Sequence, residues 1–541
     1  MSEGKAAVGW RIRLRPVLHP LLFAAFPVIY LWARNADEGL SAGEVLRPLA
    51  VILLLTGALQ AAFWWAYGRD LHRAGLALTP LVLLFFSYGY AAAALGWLGR
   101  PRYLLPIWAI LAVGAIMAAT ASKRRAAAWT GVLNWVAAGL VLLNLASLGW
   151  HGLRYRDVPA RLERSDGPAP TLNARGRRRD IYYIVLEEYA GRRVLQEFWG
   201  YDNTPFLDFL RSKGFFVADD STANYPRTAP SVASSLNMEY VSRDERFAPE
   251  PTFDALIRDH AVARLLKDAG YRYVHIGSWL PSTATNPQAD QNIVFRTGLS
   301  RFSSLLYETT ALYQVTQHLG WFRTALDLNW REHQRVLFQF SQIDDVRSEP
   351  GPKFVFAHIV APHDPYTFDR DGRFVSIDEA YARPAKELYL DQLIYVNELV
   401  RNMVERLLSG PAQDRPIVII QSDEGPYGGD PPAWNALDPD ARLLRRKFDI
   451  LNAFYLPGDS TSELYPSITP VNSFRVIFDD YFDAGMPLLP DRNYIFRDLQ
   501  HLQDFTDVTK MVRRELGISP LDPSGNGVRG RQLERRHMRA S

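Results

Sequence analysis

The chain has 541 residues, more than one ordinary domain, so two or three units are expected. Lys plus Arg total 61 against 58 Asp plus Glu, a net charge of +3, and no basic stripe argues for nucleic acid. Cysteine is absent, which excludes disulfides, thiolate metal sites and a cysteine nucleophile.

Five apolar runs fill the first part of the chain, at about 17–33, 48–67, 74–98, 103–122 and 126–150. Each approaches the roughly 20 residues that cross a bilayer core. Five such helices without a polar face do not suit a soluble protein. Pro20 and Pro27 interrupt the first run, and no small-residue cleavage site follows it as a signal peptide would require. Residues 1–150 are therefore expected to form a five-helix transmembrane bundle. Lys5, Arg11, Arg13, Arg15, Arg69, Arg73 and Lys123–Arg125 fall on one side of it. The other side carries Arg34, Arg47, Arg100 and Arg102 beside Asp37 and Glu38. The positive-inside rule then makes the N-terminus cytoplasmic, and five crossings put everything after Trp150 outside the cytoplasm. Residues 151–179, rich in Pro, Gly and Arg, read as a juxtamembrane linker. The tail 520–541 reads as basic and disordered.

From Asp180 the pattern changes. β-rich runs appear at 181–186, 214–218, 271–276, 353–360, 416–421 and 450–456, with helical periodicity between several of them, as at 253–269 and 386–408. Near-continuous apolar strands alternating with helices predict an α/β domain, 180–519, whose mainly parallel sheet is covered on both faces. Ligands in such sheets bind beyond the carboxyl ends of the strands. Polar residues gather at those ends. IYYIVL leads into Glu187 and Glu188; KFVFAHIV contains His358 and leads to His363; IVIIQS leads to Asp423 and Glu424. In NYPRTAPSVASSLN, Thr228 falls at the start of a helix, where it either caps the helix or stands at an anion-binding N-terminus. His275 reads as a core histidine, and Arg445-Arg446-Lys447 as a solvated charged face.

At these residues the chain resembles the sulfatase-like branch of the alkaline phosphatase superfamily. IYYIVLEEYAG, NYPRTAPSVASSLN, FAHIVAPHDPYTF, IVIIQSDEGP and ILNAFYLPG occur in that family's order. With the spans ahead of them, they are similar to its membrane members, the lipoteichoic acid synthases and phosphoethanolamine transferases. The resemblance implies that Glu187, Thr228, Asp423 and Glu424 hold one divalent metal, with Thr228 also the nucleophile. It implies that His358 and His363 act on the leaving group or substrate. Trp279, Asp364 and Tyr366 are further substrate-side candidates, and Glu188 is expected to face solvent or to stand behind the metal ligands, or to exchange places with Glu187 if the register shifts by one. The family more often has His where this chain has Glu424. A resulting all-oxygen donor set favours Mn²⁺ or Mg²⁺, allows Ca²⁺ and disfavours Zn²⁺.

The implied reaction is transfer of a phospholipid headgroup phosphate, phosphoethanolamine or phosphoglycerol, through a phosphothreonine to an envelope glycan or lipid acceptor. The implied location is a bacterial-type cytoplasmic (inner) membrane, crossed several times, with the catalytic domain outside. Thr228-Ala229-Pro230-Ser231-Val232 stands where family sulfatases carry an oxidisable Cys or Ser and an Arg. Threonine cannot become the formylglycine aldehyde, so phosphorus is favoured over sulfur. Two alternatives stay open: a membrane-anchored phosphodiesterase or sulfatase-like hydrolase, and an inactive binding or regulatory module.

Overall fold

A computed structural model describes residues 16–36, 42–95, 103–121, 123–154, 171–174, 176–241, 250–296, 299–316, 327–427, 439–458, 464–496 and 505–519. The basic residues before Pro16, most of the 151–179 linker and the 520–541 tail lie outside the described residues. The chain divides into two units, Met1–Arg156 with Gly298–Leu326, and Asp157–Thr297 with Asp327–Ser541.

In the first unit a helix falls on each apolar run: α1 (His19–Arg34), α2 (Ala42–Ala66), α3 (Leu71–Ala94), α4 (Leu104–Thr120) and α5 (Lys123–Arg154). Among the described residues, three stretches are long and apolar enough to cross a membrane: Gly43–Ala66, Leu71–Ala94 and Ala126–Trp150. Leu104–Ala118 is a shorter apolar helix, and α1 has only 16 residues. Large apolar side chains such as Leu54, Trp65, Ile110, Trp135 and Leu143 point outward. That is the inverse of a water-soluble bundle, and it suits lipid. Polar ties hold the start of α1: Asn134 Oδ1 accepts from the Leu18 and His19 backbone N–H groups at 3.0 and 2.8 Å. These are donors that a helix start leaves unsatisfied.

The segment 298–326, inside the stretch that the sequence pattern assigns to the second domain, clusters with this unit instead. Phe302 and Leu306, on the helix Arg301–Glu308, share a core with Phe23, Val28, Val82 and Phe86. The Gly89 N–H donates to Thr309 O at 2.8 Å. The approach requires glycine, because a Cβ there would lie 2.5 Å from Glu308 O.

The second unit is built on a seven-stranded sheet. Its strands are β1 (Ile181–Leu186), β2 (Phe216–Val217), β3 (Arg272–Ile276), β4 (Gln291–Ile293), β5 (Lys353–Ile359), β6 (Ile417–Ser422) and β7 (Asn452–Tyr455), in the order β2-β7-β6-β1-β5-β3-β4. All pairings are parallel except those of β7, which runs against β6 and β2. Side chains of β1 alternate between two cores, as the two-residue strand period requires. Tyr182, Ile184 and Leu186 pack under the helices Leu328–Arg347 and Ala385–Leu407. Ile181, Tyr183 and Val185 pack under Thr228–Asn237, Ala261–Asp268 and Ser473–Phe482. Both faces are covered, which is why β1, β5 and β6 read as unbroken apolar runs.

The six expected strands are all present, and β4 is additional. The periodicity at 253–269 resolves into two helices, Glu250–Arg258 and Ala261–Asp268. They part at His260, whose Nδ1 accepts from the Ala263 N–H at 3.1 Å.

Gly425, just beyond β6, donates its N–H to Lys447 O at 3.0 Å, and a Cβ on it would lie 1.8 Å from Arg446 O. Gly425→Ala is therefore expected to cost more than about 2 kcal/mol, seen as a lowered thermal midpoint. An unchanged midpoint would show that this contact is slack.

Candidate active site

Strands β6, β1 and β5 are neighbours, with Leu186 in register with Ser422 on one side and Ile359 on the other. Glu187 and Asp423 therefore leave the sheet side by side, and His358 is the penultimate residue of β5. The helix Thr228–Asn237 begins over the same edge. Its first residue donates from Oγ1 to Glu187 Oε1 at 2.6 Å. One turn on, Ser231 Oγ donates to Asp423 O at 2.6 Å, which pins the helix start to the end of β6. Asp423 Oδ1 accepts from the Glu188 N–H at 3.2 Å. Glu188 is a buried non-glycine residue at φ 56°, a left-handed conformation that costs energy and clusters at functional sites.

Glu187, His358 and Asp423 each offer a buried ligand atom within 4.8 Å of the others. His358 Nε2 stands 2.5 Å from Glu187 Oε2 as an ion pair, and Asp423 Oδ2 beside them has no hydrogen-bond partner. Three buried ligand atoms converging in this way fit a cation. The Thr283 hydroxyl meets the other ring nitrogen, His358 Nδ1, at 2.8 Å. Gln339 Nε2 donates to His358 O at 2.7 Å and to Gly277 O at 3.1 Å. Such partners fix the ring and leave Nε2 to a metal.

The electrostatics agree. At an effective dielectric of about 20, two carboxylates this close repel by about 3 kcal/mol. Burial and the Glu187 charge push the Asp423 carboxyl up to about 7. Burial would also raise Glu187, but His358, His363 and the Thr228 hydroxyl pull it down to about 2. Burial would lower His358, and Glu187 and Asp423 outweigh it, so its pKa is raised.

Glu424 is not in this cluster. Its Oε2 lies 3.1 Å from Lys447 Nζ, which also donates to Glu188 Oε1 at 3.2 Å. The donors that converge are two carboxylates and an imidazole, not the all-oxygen set expected from the sequence. His358, expected on the leaving-group side, stands among them. Lys447 is buried, not the solvated face that its Arg-Arg-Lys run indicated.

His363 lies beyond β5, and its Nδ1 donates to Asp364 O. Burial would lower it, but Glu188, Asp364 and Glu187 raise its pKa to about 9, so it is an imidazolium at neutral pH. Asp364 is exposed and holds a carboxylate oxygen 3.4 Å from the same nitrogen. Tyr366 is half-buried, edge-on to Tyr389, whose hydroxyl donates to Glu188 O at 2.8 Å. Trp279 is half-buried in the turn that follows β3 and carries Thr283. His275 is a core residue, as expected: its Nε2 donates to Thr283 O at 2.8 Å, and burial holds it neutral. Thr283, Gln339 and Ser231 were given no role from the sequence. Ser, Thr and Gln in loops and helices have no local signature for such roles.

The sulfatase family pattern matches residues 179–474, more than half of the chain, and the chain belongs to the sulfatase family. It is thereby an enzyme of the alkaline phosphatase superfamily, a class that works with a divalent metal. No curated protein matches it in sequence. Among solved structures it is similar to the zinc complex of the C-terminal periplasmic domain of EcEptC from Escherichia coli, at 14% identity and TM-score 0.42, over 67% of this chain and 100% of that one. It is also similar to the integral membrane lipooligosaccharide phosphoethanolamine transferase A of Neisseria meningitidis, at 14% identity and TM-score 0.36, over 81% and 88% of the two chains. A third is the phosphonate monoester hydrolase of Agrobacterium radiobacter, at 13% and 0.37, over 63% and 84%.

Metal binding must displace protons from Asp423 and His358, whose folded pKa values are both raised. Mn²⁺ affinity is expected to climb as pH rises through about 7. Calorimetry in buffers of different ionisation enthalpy would count the protons released. Affinity that is flat between about pH 6 and 8 would contradict the coupling.

Proposed function

We propose that this chain is a membrane-embedded phosphoryl-group transferase. It takes a headgroup phosphate from a phospholipid, carries it on Thr228 and passes it to an envelope glycan or lipid hydroxyl. The observation that carries this reading is the 2.6 Å hydrogen bond from Thr228 Oγ1 to Glu187, beside the converging ligand atoms of Glu187, His358 and Asp423. A hydroxyl becomes a useful nucleophile only when a base or a metal activates it.

Glu187, His358 and Asp423 would hold a divalent ion, which when bound supplies Lewis-acid stabilisation of the phosphoryl oxygens and acidifies a neighbouring hydroxyl. Carboxylates with an imidazole suit Zn²⁺ or Mn²⁺, so the preference against zinc loses its premise. Thr228 Oγ attacks phosphorus in line, its proton leaving toward Glu187, and the bond to the departing oxygen breaks. His363, already protonated, gives that oxygen its proton. The acceptor hydroxyl, giving its proton to His363, then attacks the phosphothreonine, and the Thr228 oxygen leaves and takes back its proton from Glu187. Threonine at this position supports phosphorus over sulfur, since no aldehyde can form on it.

Five crossings with a cytoplasmic N-terminus would set the site at the outer leaflet, within reach of lipid headgroups. The basic residues of the intervening loops support that orientation. A hydrolase reading shares every one of these groups and differs only in the acceptor.

Thr228→Ala should lose at least about 10³-fold in turnover, while Thr228→Ser keeps part of it. Mass spectrometry of the wild-type peptide after incubation with labelled phosphatidylethanolamine and phosphatidylglycerol should find a headgroup phosphate on Thr228. Full turnover in the alanine variant would end the proposal, and label released only as free headgroup phosphate would mark a hydrolase.

The acid form of His363 is the active one, so kcat/KM should fall as pH rises through its pKa. A bound divalent ion would place that limb at or below about 9. His363→Gln should abolish the limb as well as slowing the reaction; a limb that persists assigns it to another group.

A further inference from the structure

Two pairs of acidic residues end β1 and β6, and within each pair the side chains part. Glu187 and Asp423 turn to His358. Glu188 and Glu424 turn to Lys447, which comes from the last turn of the helix Ala441–Phe448. Its Nζ lies 3.2 Å from Glu188 Oε1, 3.1 Å from Glu424 Oε2 and 3.7 Å above the Tyr427 ring. All four carboxylates are buried, none more than 4 % exposed, and the ammonium is buried completely. The site thus holds two cation positions back to back, joined by single peptide bonds. One gathers two carboxylates around the His358 imidazole; the other is filled by the Lys447 ammonium.

We infer that Lys447 is a resident cation that closes the second carboxylate pair to metal. It limits the centre to one divalent ion and keeps Glu424 off that ion. The inference rests on the metal reading proposed above. Geometry supports it: the ammonium fills the space between Glu188 and Glu424, so an ion bound there would have to displace it. Without Lys447, Glu188 and Glu424 would be two buried carboxylates with no cation between them. Such an arrangement recruits one or protonates. Gly425 and the Lys447 carbonyl lock the backbone on the same side, so the ammonium enters along a fixed path. Lys447 is a specificity-determining residue for the number of metal ions, and Glu424 is its anionic partner.

The test is metal stoichiometry of the full chain in detergent, with Mn²⁺ alone as the probe, read by elemental analysis and by Mn²⁺ electron paramagnetic resonance. Wild type should hold one ion per chain, and Lys447→Ala two, with the spin–spin coupling of a close pair. Lys447→Ala combined with Glu424→Gln should return to one. Lys447→Ala holding one ion with unchanged affinity overturns the inference. Wild type holding none overturns the metal reading beneath it, so the two failures are distinguishable. Should Lys447→Ala not fold, Glu424→Gln alone decides: unchanged Mn²⁺ affinity is expected, and a loss of more than about tenfold would make Glu424 a ligand and overturn the inference.

Discussion

Parallel pairing of β1 with both β5 and β6 forces chain segments that are far apart in sequence to end at one level of one sheet. Each segment ends in acidic or imidazole side chains, and the surrounding helices seal them from water. Charge confined in this way cannot be screened by solvent. It must be met by protons, by side-chain cations or by a metal, and each feature of the site is one of those responses. Asp423 is pushed toward protonation, His363 is held as an imidazolium, and Lys447 is drawn fully inside. The ligand atoms of Glu187, His358 and Asp423 converge on one another.

The helix that starts at Thr228 gives this charged pocket a hydroxyl. Ser231 anchors it to Asp423 O, so that hydroxyl is placed by the same strand end that supplies a carboxylate. Thr283 and Gln339 do the corresponding work for His358, the first through its ring and the second through its carbonyl. Donors held from behind in this way need little rearrangement when an ion or a phosphoryl group arrives, and that preorganisation is what makes such sites effective. The left-handed Glu188 has the same logic. The strained turn sends Glu187 toward His358 and Thr228 and Glu188 toward Lys447.

The first unit adds a different constraint. Its outward-facing Leu, Ile and Trp side chains suit a lipid environment. The chain returns to it at 298–326, where Phe302 and Leu306 enter the core around Phe23 and Phe86. Three of its helical stretches meet the length and hydropathy of a membrane span.

Much of the fold was legible in the linear chain. Buried parallel strands are apolar along their whole length, so β1, β5 and β6 announced themselves, as did the apolar helices, and ordered motifs led to the sulfatase family. Glu187, Thr228, His358 and Asp423 were legible for the same reason: they lie at strand and helix ends, where chemistry concentrates. What the chain could not disclose was how side chains within each doublet divide. Glu424 follows Asp423 directly, and nothing in the order of residues says that one faces His358 and the other Lys447. Nor does an Arg-Arg-Lys run reveal that its lysine is the residue that turns inward, or a polar QNI triplet that it joins the sheet as β4. Those outcomes depend on backbone direction at the strand ends and on which helix packs over them. Both are set by contacts between residues remote in sequence.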